Sequence, residues 1–170
     1  MPIGPFGAKS TAEEVTAGLD LTGRTYLVTG APSGLGLESA RVLALRGARV
    51  IATGRSVDKA REALSGLPGE FLPVALDLAD FDSVRRCADE VAAALPQLDG
   101  LICNAGIMQL PTLGRVRGPE KPFVPTHLGH FILVNRLLER VIAAPQGRVV
   151  MVSSGNWRNA PPGGIQFDNL

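Results

Sequence analysis

Short apolar runs rich in β-branched residues alternate with longer stretches of helical period from residue 25 to residue 152, and this alternation restricts the fold more than any other feature. The pattern predicts strands at Thr25–Thr29, Arg49–Ala52, Phe71–Leu76, Gly100–Cys103 and Arg148–Val152. Between them it predicts helices at Gly34–Arg46, near Val57–Leu64, at Ser83–Leu95 and near His127–Ala143. Strands separated by helices pair in parallel, because parallel neighbours need a long crossover, and right-handed crossovers place helices on both faces of the sheet. The expected fold class is therefore α/β, a doubly wound parallel sheet of about five strands in the order 3-2-1-4-5.

The flanking segments read differently. Residues 1–9 are rich in Gly and Pro and look like a loose arm, and Ser10 with Glu13 forms a capping-box pattern that would start a short helix to about Gly18. This divides the chain into an N-terminal arm, residues 1–22, and an α/β domain, residues 23–170. Ile107–Pro125 carries four prolines and several charges and reads as a surface loop, and Gly155–Leu170 is again rich in Pro and Gly.

Composition narrows the function classes. A formal net charge of +1 on 170 residues lacks the basic excess of a nucleic-acid or anionic-membrane binder. No run approaches the roughly 18 apolar residues of a membrane span, and Met1–Gly7 lacks the layout of a signal peptide, so a cytoplasmic protein is expected. Cys87 and Cys103 match neither a redox pair nor a zinc spacing and read as reduced structural thiols. His127 and His130 lie three apart without a third ligand, so packing and local hydrogen bonds explain them better than a metal.

The chemistry is concentrated where the first strand meets the first helix, in Thr29-Gly30-Ala31-Pro32-Ser33-Gly34-Leu35-Gly36. Glycines at this junction let the backbone approach a pyrophosphate, which the free amides and dipole of the helix start attract. A side chain on Gly34 or Gly36 would block that approach or push the helix from the sheet. This is the Rossmann-type arrangement, with Gly30, Ser33, Gly34, Leu35 and Gly36 as cofactor-binding candidates. About 20 residues further on, an NAD enzyme places an acid against the ribose hydroxyls. Here the second strand ends Ala52-Thr53-Gly54-Arg55. Arg55 suits a 2′-phosphate, with Gly54 leaving room for it, so NADP(H) is favoured over NAD(H).

With these residues the chain resembles the short-chain dehydrogenase/reductase family, particularly its retinol dehydrogenase and WW-domain oxidoreductase branch. The glycine spacing, Asp77-Leu78, Asn104-Ala105-Gly106, His127-Leu128-Gly129-His130-Phe131 and Val152-Ser153-Ser154 occur in the family's order, and the likeness spans nearly all of residues 10–170. The resemblance implies that Asp77 bonds the adenine amine, with the Leu78 amide nearby. It implies that Asn104 ties the central strands together while Ala105 and Gly106 let the cofactor ribose lie against the chain.

Members of the family move a hydride between nicotinamide and an alcohol or carbonyl carbon. A serine orients the substrate oxygen, and a tyrosine, tuned by a lysine four positions later, exchanges the proton. Ser154 matches the catalytic serine. The sole tyrosine is Tyr26 and the lysines are Lys9, Lys59 and Lys121, so these residues contain no Tyr-x-x-x-Lys. Thr126 stands where the family has an asparagine, and Asn135 on the same helix does not replace it. The sequence thus leads to an NADP(H)-dependent oxidoreductase acting on a small alcohol or ketone, represented by its cofactor-binding part. The alternative is a non-catalytic module that holds a dinucleotide or a partner. Because the fifth strand would present an apolar edge, the natural polypeptide is expected to continue past Leu170, or another chain to cover that edge. A homo-oligomer is left open.

Overall fold

The computed structural model describes residues 4–107, 122–155, 158, 163 and 164. The core of the fold is a parallel sheet of five strands, β1 (Thr25–Thr29), β2 (Arg49–Gly54), β3 (Glu70–Ala75), β4 (Gly100–Cys103) and β5 (Arg148–Met151), in the order β3-β2-β1-β4-β5. The expected topology is the observed one. Register runs from Thr25 opposite Arg49 to Thr29 opposite Thr53, so β1 and β2 end level and deliver their following loops to the same edge of the sheet.

Alternation along each strand divides the core between the two faces. Leu27, Ile51, Val74 and Leu101 pack with residues of α4 (Phe81–Ala94) and α5 (His130–Ala143), notably Val84, Val91, Leu133 and Leu137. Their neighbours Val28, Val50 and Ala52 face the other way, against Ala40 and Ala44 of α2 (Gly34–Leu45) and Leu64 of α3 (Val57–Leu64). Small residues on α2 bring that helix close to the strands, which is what a phosphate-binding turn at its start requires.

Several boundaries move for identifiable reasons. The short first helix, α1 (Ala12–Val15), is capped by Thr11 rather than Ser10: Thr11 Oγ1 accepts from Glu14 N at 3.2 Å and Glu14 Oε2 accepts from Thr11 N at 2.8 Å. Ser10 Oγ is engaged one turn earlier, accepting from Gly7 N. Helix α4 begins at Phe81 because Asp80 caps it, accepting from Asp82 N, while Ser83 Oγ accepts the amide of Asp77. The predicted surface loop Ile107–Pro125 lies mostly outside the described residues, but its end is not loop. Val124–Gly129 forms a π-helical turn leading into α5, with Val124 and Pro125 buried. Pro125 near the start of that turn gives up only an amide that has no partner there. Of the predicted Pro- and Gly-rich tail Gly155–Leu170, only residues 155, 158, 163 and 164 are described.

The N-terminal segment is fastened to the sheet's flank. Arg41 reaches Glu13 at 2.8 Å, Arg46 Nη2 donates to the Glu13 carbonyl at 2.7 Å, and Leu21 is buried in the α2-side core.

Candidate cofactor and active site

The loops after β1, β2, β3, β4 and β5 all emerge at the carboxyl edge of the sheet, and every predicted site residue lies on one of them or on the helix start beyond. The most demanding of these is Gly36. A Cβ there would run into the Gly30 carbonyl oxygen and lie 2.6 Å from Asn104 Nδ2, so only glycine lets α2 sit this close to the β1 and β4 turns. Gly34 is different. Its φ of +56° is left-handed, which disfavours any side chain, and the space a Cβ would enter is open. The two glycines thus divide the two tasks that the sequence assigns to them jointly: Gly36 seats the helix and Gly34 keeps its mouth clear. Gly30, also left-handed at +70°, rests against Ala105.

Ser33 occupies the N-cap position of α2, but its side chain makes no capping hydrogen bond. By contrast, Thr11, Ser56 and Asp80 cap α1, α3 and α4 with their side chains, so α2 alone of these helices starts without a side-chain cap. Leu35 stands at the same mouth with 76% of its surface exposed, an apolar side chain placed beside a polar helix start.

Arg55 follows β2 directly, is exposed, and forms no ion pair with a described residue. Gly54 does not reserve empty space for a phosphate as expected: a Cβ there would lie 2.6 Å from Pro32 Cγ, so the room belongs to the Pro32 ring of the glycine turn. Asp77 turns Oδ1 to the Ala79 amide at 2.9 Å, and the cap of α4 falls to Asp80 instead. Leu78 is buried, with its carbonyl oxygen so close to Gly129 that a Cβ there would collide with it. The glycine of His127-Leu128-Gly129-His130-Phe131 therefore has a mechanical reason, the seating of the π-helical turn on the loop that carries Asp77.

Asn104 and Ala105 are held by β1. Asn104 Nδ2 donates to the Thr29 carbonyl at 2.9 Å, while the backbone amides of Asn104 and Ala105 donate to Thr29 Oγ1 at 2.9 and 3.0 Å. These contacts link the turn after β4 to the end of β1. The Thr29 hydroxyl also lies 2.9 Å from His130 Nε2, a pair that sequence reading did not connect to the site. Gly106 is exposed, and its nearest side-chain neighbour is Thr126, whose hydroxyl is turned back to the Pro122 carbonyl. Asn135 bonds the Phe131 carbonyl on the exposed side of α5, away from this edge. Ser153 and Ser154 follow β5 at the same edge and are exposed. Tyr26 packs over Gly100 at the opposite end of β1 from Thr29, with Cε1 2.6 Å from where a Cβ of Gly100 would be, so it is structural.

The two cysteines are buried in the fold. Burial pushes the Cys87 thiol up to about 12, with the Glu90 charge adding to the effect, and burial alone does the same for Cys103. Neither forms a disulfide. Among the described residues no cluster of three His, Cys, Asp or Glu side chains could hold a metal, and no helix is long and apolar enough to cross a membrane.

A parallel sheet whose first strand ends in a glycine turn, with an uncapped helix beyond it and accessory loops at one edge, is a Rossmann-type dinucleotide-binding fold. The chain belongs to the short-chain dehydrogenase family, whose model matches residues 24–167. It is 37% identical over 175 residues to short-chain dehydrogenase TIC 32 A, chloroplastic, of Brassica napus, which covers 97% of this chain and 55% of that protein. Identity is 37% to the WW domain-containing oxidoreductase of Homo sapiens, over 97% of this chain and 42% of that one. It is 40% to human retinol dehydrogenase 14, over 87% and 48%. The chain therefore spans about half the length of the curated relatives it matches. Among solved structures, a metagenomic short-chain oxidoreductase in complex with NADP superposes with a TM-score of 0.72 at 30% identity, covering 85% of this chain and 67% of that one.

Proposed function

We propose that residues 23–170 form the cofactor-binding part of an NADP(H)-dependent oxidoreductase that interconverts an alcohol and a carbonyl compound, with residues 1–22 as an arm beside it. The observation that carries this reading is the start of α2. Its left-handed Gly34 opens onto free space, its cap side chain makes no bond, and Gly36 holds the whole helix end against the β1 and β4 turns. Helix amides and a dipole left open in this way favour an anion. Gly30, Ser33, Gly34, Leu35 and Gly36 would line the pyrophosphate. Asp77 and Leu78 would border the adenine, the Leu78 amide having no described acceptor of its own. Asn104, Ala105 and Gly106 would lie along the ribose next to the nicotinamide. The complex of the metagenomic relative with NADP supports the choice of cofactor class.

The preference for NADP(H) rests on Arg55, a cation without a described carboxylate partner at the end of β2, where its guanidinium can form paired hydrogen bonds to a phosphate. When bound, the cofactor would give or take the hydride. The chain's own contribution is to fix the dinucleotide along the sheet edge and to present the Ser154 hydroxyl as a donor that orients the substrate oxygen. Titration of the purified protein with NADPH and NADH tests this reading. Arg55→Asp is expected to lower the NADPH:NADH affinity ratio by about tenfold or more, the scale of a lost charge-assisted contact. An unchanged ratio would remove Arg55 from the assignment, and flat titrations with both dinucleotides would remove the function.

A further inference from the structure

His130 is 1% exposed, yet the cofactor assignment gives it no role. Its bonds lead directly into the site. Thr29 Oγ1 receives two backbone amides, from Asn104 at 2.9 Å and Ala105 at 3.0 Å, and a hydroxyl has two lone pairs and one proton. With both lone pairs taken, the proton must go outward. Its options are His130 Nε2 at 2.9 Å and the Ile102 carbonyl at the far limit of 3.5 Å. The Thr29 hydroxyl therefore donates to Nε2, which must be unprotonated. The ring's proton then sits on Nδ1, which donates to the Thr126 carbonyl at 3.2 Å. Hydrogen-bond counting thus assigns the neutral Nδ1–H tautomer.

We propose that His130 is a positioning residue: through the Thr29 hydroxyl it holds the Asn104–Ala105 turn in the shape the cofactor meets, and protonation of its ring loosens that turn and weakens dinucleotide binding. The inference rests on the dinucleotide reading given above. A protonated ring carries N–H at both nitrogens. Nε2–H would face a hydroxyl whose lone pairs are already committed, so the Ala105 amide loses its acceptor, the Asn104 amide is left with the Ile102 carbonyl at 3.1 Å alone, or the histidine moves away. The groups bonded to the ring are polar but uncharged: the Thr29 hydroxyl from β1 and the Thr126 carbonyl of the π-helical turn. The one titratable group acting on it is His127, whose charge opposes a second positive charge nearby. Nothing described stabilises the imidazolium except the Thr126 carbonyl, and burial outweighs that contact.

The test is calorimetric titration of the full protein with NADP+ at about pH 8 and about pH 5.5, on either side of the ordinary histidine range. The cofactor's 2′-phosphate itself titrates near about pH 6, but it does so identically for every variant and cancels when variants are compared. The ratio of dissociation constants, acid over alkaline, is expected to be about tenfold larger for the wild type than for His130→Gln, which has no ring to protonate. Thr29→Ser keeps the hydroxyl and should retain the wild-type ratio. Thr29→Val should lose that pH dependence and bind more weakly, by about tenfold, at both pH values. Ring 15N shifts of His130 in the wild type should report Nδ1–H at neutral pH, a readout independent of any ligand. Equal ratios for the wild type and His130→Gln, or an Nε2–H tautomer, would overturn the inference while leaving the cofactor assignment standing. Should His130→Gln fail to fold, the Thr29→Ser and Thr29→Val pair decides the same question. A wild type that binds no dinucleotide at either pH would instead overturn the function proposed above.

Discussion

Single atoms decide much of this site, and Gly36 is the clearest case. Gly36→Ala adds one methyl group against the Gly30 carbonyl and Asn104 Nδ2, neither of which can retreat without breaking the β1–β4 tie. Overpacking of this kind costs about 1–3 kcal/mol, so urea unfolding should show a loss of that order together with loss of NADPH binding. Gly34→Ala meets open space and should act mainly through its strained φ, at about 1 kcal/mol. The two cysteines offer a complementary check. Buried and shifted to about 12, both thiols should resist alkylation in the native protein at about pH 8 and react at once on denaturation. Glycines, Arg55 and Asn104 are legible in the sequence because a motif fixes their spacing. The bond between Thr29 and His130 is not: the residues are 101 positions apart, and nothing short of the closed β1–β4–α5 arrangement says they meet. Gly54 marks a further limit, since residue type alone cannot tell that its missing side chain makes way for Pro32 rather than for a ligand.

At the scale of elements, helix starts separate structural from functional caps. Asp80 bonds the Asp82 amide at 3.0 Å, so Asp80→Ala should destabilise the fold by about 1 kcal/mol in denaturant unfolding. Ser33 holds the equivalent position on α2 without making such a bond, and Ser33→Ala should leave stability within about 0.5 kcal/mol of wild type. A loss at Ser33 as large as that at Asp80 would mean that the α2 start is satisfied from within, which would argue against an anion there. Strand and helix identities follow from periodicity, and all five strands fall where the pattern puts them to within two residues. The entry to α5 escapes the same reasoning. Pro122 and Pro125 punctuate the sequence like a loop, whereas in the fold Pro125 is the second residue of a π-helical turn whose Gly129 is pressed on the Leu78 carbonyl. A tertiary contact, not local propensity, sets that geometry.

On the scale of the whole fold, two apolar layers clamp the sheet, and among the described residues the buried polar side chains are Thr29, Thr53 and His130. Parallel order and layering were readable because nearly continuous apolar strands require cover on both faces. Apolar side chains remain exposed at the β5 edge, in Val150, Met151 and Val152, as the sequence anticipates for that strand. The buried imidazole ties global stability to pH in a definite direction. Burial holds its folded value below the ordinary 6.5, so between those two values the unfolded chain binds the proton that the folded chain refuses. The contribution is therefore fully present above about pH 6.5, declines as pH falls through the folded value, and is level below it. Glu38, held below its ordinary 4.5 first by the Arg41 hydrogen bond, and Asp20, held below 3.8 by Thr22, lose their contributions only at lower pH. The histidine window therefore opens first, as pH falls past about 6.5. Urea midpoints measured from about pH 8 downward should fall first in the histidine window for the wild type, and His130→Gln should stay level there and decline only where the carboxylates titrate. A parallel fall in both proteins above about pH 5 would mean that the proton is taken up elsewhere, and that the imidazole is not what couples this fold to acid.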